Sequence, residues 1–147
     1  MRSPVEVLAG AAGPLQALYG AACQGVPPAT VALVHLRVSQ INGCGQCIDG
    51  GAKHALKDGE TAERLFALSA WREAPYFTAA ERAALDLAEA ATRIADSPEG
   101  VPDAVWDEAS RHYDESGMAG LVLVIAVVNL FNRINVPTRQ VSGEQKW

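Results

Sequence analysis

The stretch that most constrains this fold is MAGLVLVIAVV, residues 118–128, continued by Asn129, Leu130 and Phe131. At helical pitch it presents apolar side chains in every direction, and a helix apolar all round has to be covered by other elements. The run falls short of the roughly 20 residues that a membrane span needs. Polar Asn129, Asn132 and Arg133 follow it at once. It is therefore expected in a core, with part of its surface at a contact between subunits. A chain of 147 residues is long enough to build such a core.

The rest of the chain supplies the cover. No segment alternates with the period of a strand, and the apolar spacing is helical throughout. Leu15, Leu18 and Ala22 share a helical face in GPLQALYGAAC. PPATVALVHLRVSQI opens on prolines, which suit a helix start, and runs to about Ile41, where Asn42-Gly43 punctuates it. A third helix is predicted from near Cys44 to Gly59, and a fourth in ETAERLFALSAW with Ala62, Leu65 and Leu68 on one face. Thr78 and Glu81 carry a capping-box signature for a helix reaching about Asp96. Val105, Trp106, Ala109 and Tyr113 mark a short amphipathic helix before the final apolar one. The expectation is all-α: a single domain over residues 1–147, of about seven helices joined by short connections.

A net charge of −5, with no cluster of lysine or arginine, argues against nucleic acid or an anionic membrane as partner. Three cysteines are too few, and odd in number, for a secreted disulfide scaffold. MRSPVEVLAG lacks the apolar core of a signal peptide, so a cytoplasmic location is expected.

The chemistry concentrates in SQINGCGQCIDGGAKH, residues 39–54. With Cys44 at a helix start, Cys47 lies one turn on, along the same face. Free amide N–H groups and the helix dipole there favour thiolate over thiol. The spacing leaves three uses open: a working dithiol, a metal clip, or two inert buried cysteines. A structural zinc site needs four ligands, and Cys44, Cys47 and His54 offer three, with His35 the only further candidate. Covalent haem would require histidine where Ile48 stands. No βαβ unit accompanies the motif, which removes the structural support for a thioredoxin-type reading. No metal or other cofactor is therefore called. Cys23, alone in GAACQG, reads as a small core residue without a role.

Three segments in order, LRVSQINGCGQCIDGGAK, GETAERLFALSAWREAPYFTAAERAALDLAEAAT and VVNLFNR, give the chain a further handle. From about Leu33 to Arg133 it resembles the alkylhydroperoxidase D-like branch of the carboxymuconolactone decarboxylase family. The resemblance implies an all-helical fold, assembly as a homotrimer or homohexamer, and reduction of organic hydroperoxides by the C-x-x-C pair. By it, Cys47 is the peroxidatic cysteine that passes through a sulfenic acid. Cys44 resolves it as an intramolecular disulfide, which an external dithiol, protein or lipoyl-type, then reduces. The helix start by itself favours Cys44 as the more acidic thiol.

The family's usual pattern also has a glutamate twelve residues before the first cysteine and a histidine four after the second, which together relay a proton. Here those positions are Ala32 and Gly51, and neither can carry one. His35 and His54 each stand three residues beyond a vacancy, nearly one helical turn. His54, with His35 as a possible helper, is therefore the candidate for proton transfer, packed or surface histidines being the alternative. His112 has no partner motif. Trp71, Arg72 and Glu73 read as an aromatic anchor with a solvated ion pair, Asp49 as solvated, and Asn129, Asn132 and Arg133 as ties between helix ends. Beside the peroxidase stand three other readings: a redox switch or structural member without the relay, a metal-binding module using Cys44, Cys47 and histidines, and a lyase, which has no evident need for the dithiol.

Overall fold

The computed structural model describes residues 1–143; the last four residues of the expected 1–147 domain lie outside the described residues. The described residues form eight α-helices and no strand. They are α1 (Pro4–Val7), α2 (Ala12–Ala22), α3 (Pro28–Asn42), α4 (Gly45–Lys57), α5 (Ala62–Ala67), α6 (Ala79–Thr92), α7 (Asp103–His112) and α8 (Glu115–Asn135). The one beyond the expected set is α1, a single turn with proline at its start. Two expected helices are shorter than read: α5 tightens into a 3₁₀ turn at Leu68–Ala70, and α6 ends at Thr92 before another at Ile94–Asp96.

Local signals set the boundaries of the helices around the site. Pro28 opens α3, and Gly43 closes it in the left-handed region at φ 67°, a conformation glycine adopts without steric cost. Cys44 is the N-cap of α4, its sulfur accepting the Cys47 amide at 3.4 Å. In α6 the capping box forms as its sequence implies: Thr78 Oγ1 accepts from the Glu81 amide, and Glu81 Oε2 accepts from the Thr78 amide.

Helix α3 is the shared wall of the molecule and packs against α4, α6 and α8. On one side Val31, Val34 and Val38 meet Ala84, Leu87 and Ala88 of α6 and Leu121, Val124 and Val128 of α8. On another, Leu33 and Leu36 close over Ala55, Leu68, Trp71, Phe77 and Leu85. Each large aliphatic side chain so enclosed contributes about 1.5–3 kcal/mol of transfer free energy.

Helix α8 is longer than its apolar run, at 21 residues. It is the one helix among the described residues long and apolar enough to cross a membrane by length and composition, and 56% of its apolar window is buried inside the chain. Val122, Leu123 and Leu130 stay exposed on its outer face. On α2, Ala22 is buried but Leu18 is exposed, so that face packs less than its spacing implies.

Candidate functional site

A ladder of carboxamides fixes the end of α8 against the turn between α3 and α4. Asn42 Nδ2 donates to Asn129 Oδ1 and to Asn132 Oδ1, each at 2.9 Å. Asn132 Nδ2 donates to Ser39 Oγ at 3.1 Å. The asparagines read as ties between helix ends are that, and they join the SQIN and NLFNR segments directly. One helical turn further along α8 the ladder reaches the dithiol, where Asn135 Nδ2 donates to Cys47 Sγ at 3.3 Å.

Cys44 and Cys47 are joined as a disulfide, with Cα atoms 5.3 Å apart. Their surroundings differ. Cys44 is sealed at 1% exposure, whereas Cys47, at 8%, lines a cavity of about 530 Å³. Helices α2, α3, α4 and α8 supply most of its walls: Tyr19 from α2, Val31 and His35 from α3, Cys47 and Gly51 from α4, and Phe131 and Asn135 from α8. Cys23, just past the end of α2, joins them. The cavity surface as a whole is mostly apolar, and His54 and Asp58, both exposed, stand in its lining further along the chain.

The two candidate histidines are held differently. His35 Nδ1 lies 3.3 Å from the Tyr19 hydroxyl. Burial holds its pKa below the ordinary 6.5, against a hydrogen bond to the Cys47 backbone that pulls upward, while the charge of His54 adds to the lowering. A bond that favours the imidazolium is one the ring donates, so the Cys47 carbonyl is its acceptor. His35 is thus a buried ring, with the Tyr19 hydroxyl at its Nδ1 and the Cys47 backbone beside it. A Cβ at Gly51 would stand 3.0 Å from its Cδ2 and 3.3 Å from its Nε2, so the ring fills the space beside that glycine. His54 follows Cys47 by seven residues on α4, two turns or about 10 Å along the axis. It reaches the cavity without reaching the sulfur.

Sequence reasoning passed over Tyr19 and Asn135. Burial, and then the neighbouring Cys23, push the Tyr19 hydroxyl well above its usual range. Burial likewise raises the Cys23 thiol, against a hydrogen bond from Tyr19. Cys23 is half-buried, packed against the edge of the core and lining the cavity as well. Asn135 lies outside the resembling segments, although its three-residue spacing from Asn132 continues the row that begins at Asn129.

Other charged residues singled out in the sequence pair with neighbours. Arg72 does not pair with Glu73. It pairs with Asp86 and with Glu89 Oε2, the latter at 2.6 Å. Glu89 also accepts from Arg37 Nε at 2.6 Å and from Trp71 Nε1 at 2.9 Å. Burial alone would raise its carboxyl, but the hydrogen bonds from Arg72, Trp71 and Arg37 prevail and hold it at about 2. Asp49 pairs with Lys53 at the surface, and His112 with Glu108. Among the described residues no group of three or more His, Cys, Asp or Glu side chains is placed to hold a metal ion.

An all-helical bundle with a C-x-x-C pair at a helix start, one sulfur sealed and the other on an apolar cavity, defines an AhpD-like dithiol fold. The chain belongs to the carboxymuconolactone decarboxylase family, which residues 11–90 match. It is 42% identical over 104 residues to the uncharacterized protein YdfG of Bacillus subtilis (strain 168), covering 71% of this chain and 69% of that one. It superposes with a TM-score of 0.89 on ATU0492 of Agrobacterium tumefaciens, a protein of unknown function provisionally assigned to the AhpD antioxidant defence proteins. Identity there is 30%, with 96% of each chain covered. The debrominase Bmp8, crystallised in complex with 2,3,4-tribromopyrrole, shares the fold at 22% identity. Its TM-score is 0.76, over 95% of this chain and 72% of that one.

Proposed function

We propose that the chain is a thiol-dependent peroxidase that reduces organic hydroperoxides through a Cys44/Cys47 dithiol–disulfide cycle. The observation that carries this reading is the asymmetry of the pair: Cys47 lines the cavity while Cys44 is sealed behind it. A peroxide reaches one sulfur, and the resolving thiol is already adjacent. The Cys47 thiolate attacks the terminal peroxide oxygen, the O–O bond breaks, and the alkoxide takes a proton and leaves as the alcohol. Cys44 then displaces hydroxide from the sulfenic acid, water departs, and the disulfide forms. An external dithiol of protein or lipoyl type returns both thiols, itself becoming a disulfide.

A mostly apolar cavity of about 530 Å³ favours an organic hydroperoxide over hydrogen peroxide itself. His54 handles the proton from the cavity wall. At about 10 Å from Cys47 along the helix, transfer runs through solvent or the substrate's own hydroxyl. His54→Ala should therefore cost less than the roughly 10²-fold of direct general catalysis. An unchanged rate would remove His54 from the mechanism.

The exposed Val122, Leu123 and Leu130 of α8 suit a subunit contact in a homotrimer or homohexamer. A reducing cytoplasm suits a dithiol that must be recycled beside a free Cys23. The second reading, a redox switch without turnover, is favoured by the vacancies at Ala32 and Gly51.

The deciding experiment follows consumption of cumene hydroperoxide by the reduced protein with dihydrolipoamide as donor. Steady turnover that Cys47→Ser lacks is the expected result. No turnover by a protein whose dithiol still oxidises stoichiometrically would replace the enzyme with the switch.

A further inference from the structure

The sulfur on the cavity has a partner that none of the preceding roles assigns. Asn135 is 3% exposed, and its Nδ2 donates to Cys47 Sγ at 3.3 Å. Its Oδ1 is buried with no partner among the described residues. A buried carboxamide that leaves its oxygen unsatisfied while aiming its amide at a sulfur gives up a hydrogen bond that could have been made elsewhere. The amide reaches the sulfur from the C-terminal turn of α8, an element separate from the α4 helix start. No charged side chain makes a hydrogen bond or ion pair to that sulfur among the described residues.

We infer that Asn135 is a further catalytic residue, whose side-chain amide donates to the Cys47 thiolate and holds it for attack on the peroxide where the usual acid–base pair is missing. The same carboxamide serves both states of the sulfur. Its N–H groups donate to the thiolate, and after rotation its unpartnered oxygen accepts the S–H of the thiol. A sulfur so held needs no adjacent base to remain a nucleophile. It needs only solvent to carry its proton away, as the distance of His54 already requires. This role rests on the peroxidase reading, but its test does not consume peroxide.

Cys23→Ser/Cys44→Ser leaves Cys47 as the only thiol. In that background the thiolate is read from its ultraviolet absorbance and from the alkylation rate, each as a function of pH. Asn135→Leu should move the midpoint up by about one to two units, a ten- to hundredfold loss of thiolate below it. Asn135→Asp, with a carboxylate against the sulfur, should move it further in the same direction. Asn135→Gln, which keeps the amide on a longer arm, should recover part of the shift. A merely structural Asn135 would lower the melting temperature and leave the titration where it was.

Should the leucine variant fail to fold, the Asn135 side-chain ¹⁵N–H signals of the single-thiol protein answer the same question, since they must titrate with the Cys47 midpoint. Midpoints unchanged within about 0.2 unit, or amide signals that ignore the thiol, would overturn the inference. A shifted midpoint in a protein that turns over no peroxide would leave Asn135 in place and remove the peroxidase.

Discussion

Gly51 and His35 should behave as one coupled feature, and a four-protein cycle tests this. A methyl group at residue 51 would meet His35 Cδ2 and Leu36 Cδ2 at 3.0 Å each, against the roughly 3.5–4.0 Å of an ordinary carbon contact. Leu36 offers the end of a flexible side chain. His35 cannot yield so easily, because its ring is buried between the Tyr19 hydroxyl, 3.3 Å from Nδ1, and the Cys47 backbone. In an open helix interior, glycine to alanine gains about 0.5–1 kcal/mol. Overpacking here costs about 1–3 kcal/mol. Gly51→Ala alone should therefore destabilise by up to about 2.5 kcal/mol. With His35→Ala the obstruction is gone, and the same change should become neutral or stabilising by up to about 1 kcal/mol. Urea unfolding of the wild type, both single variants and the double variant gives the coupling directly, expected at about 1–3 kcal/mol. Additivity within about 0.5 kcal/mol would show that the ring gives way freely. His35 would then be no bar to a side chain at residue 51.

Two further outcomes are expected. Glu89→Gln keeps the shape of the carboxylate but removes the charge that Arg37, Arg72 and Trp71 converge on, and should cost about 3 kcal/mol. Because the fold holds this carboxyl at about 2 against an ordinary 4.5, its stabilisation is complete above pH 4.5 and is lost as pH falls toward 2. The acid limb of a stability–pH curve should flatten in the glutamine variant, and identical limbs would refute the assignment. Asn42→Ala leaves Asn132 Oδ1 without its donor, while Asn129 Oδ1 keeps Arg133, at a cost of about 1–3 kcal/mol. A melting temperature within one degree of wild type would show that the ladder contributes little.

What was legible in the sequence was local. Pro28, Asn42-Gly43, Cys44 and the Thr78/Glu81 pair each mark a helix end through chemistry confined to a few residues, and each marks it correctly. The environment of Glu89 was not legible. Its partners arrive from residues 37, 71 and 72, and a local reading naturally gives Arg72 to the adjacent Glu73. Tyr19 and Asn135 escaped for the same reason: each acquires its meaning only when α2 or α8 is laid against the helices that carry His35 and Cys47. The vacancies at Ala32 and Gly51 were visible, but not that a ring from α3 already fills the space beside Gly51. Three-residue spacing places His35 and His54 on suitable faces. It does not say that one would be buried between Tyr19 and the Cys47 backbone and the other set two turns from the sulfur.

The division of labour between the two sulfurs follows from two physical terms that point in opposite directions. Cys44 has the better electrostatic position, at the N-cap and accepting a backbone amide, and by that measure it is the more acidic thiol. It is also sealed, and a nucleophile that no substrate reaches attacks nothing. Cys47 lies one turn further in, where the helix end favours it less, but it faces the cavity and has the Asn135 amide against it. On the proposed peroxidase reading, access selects Cys47 to meet the peroxide. The thiolate-favouring start of α4 would serve the next step of that cycle, in which Cys44 attacks the sulfenic acid beside it. What the helix start gives to Cys44, a side chain from α8 can give to Cys47, so the pair can work without the carboxylate and imidazole that Ala32 and Gly51 replace.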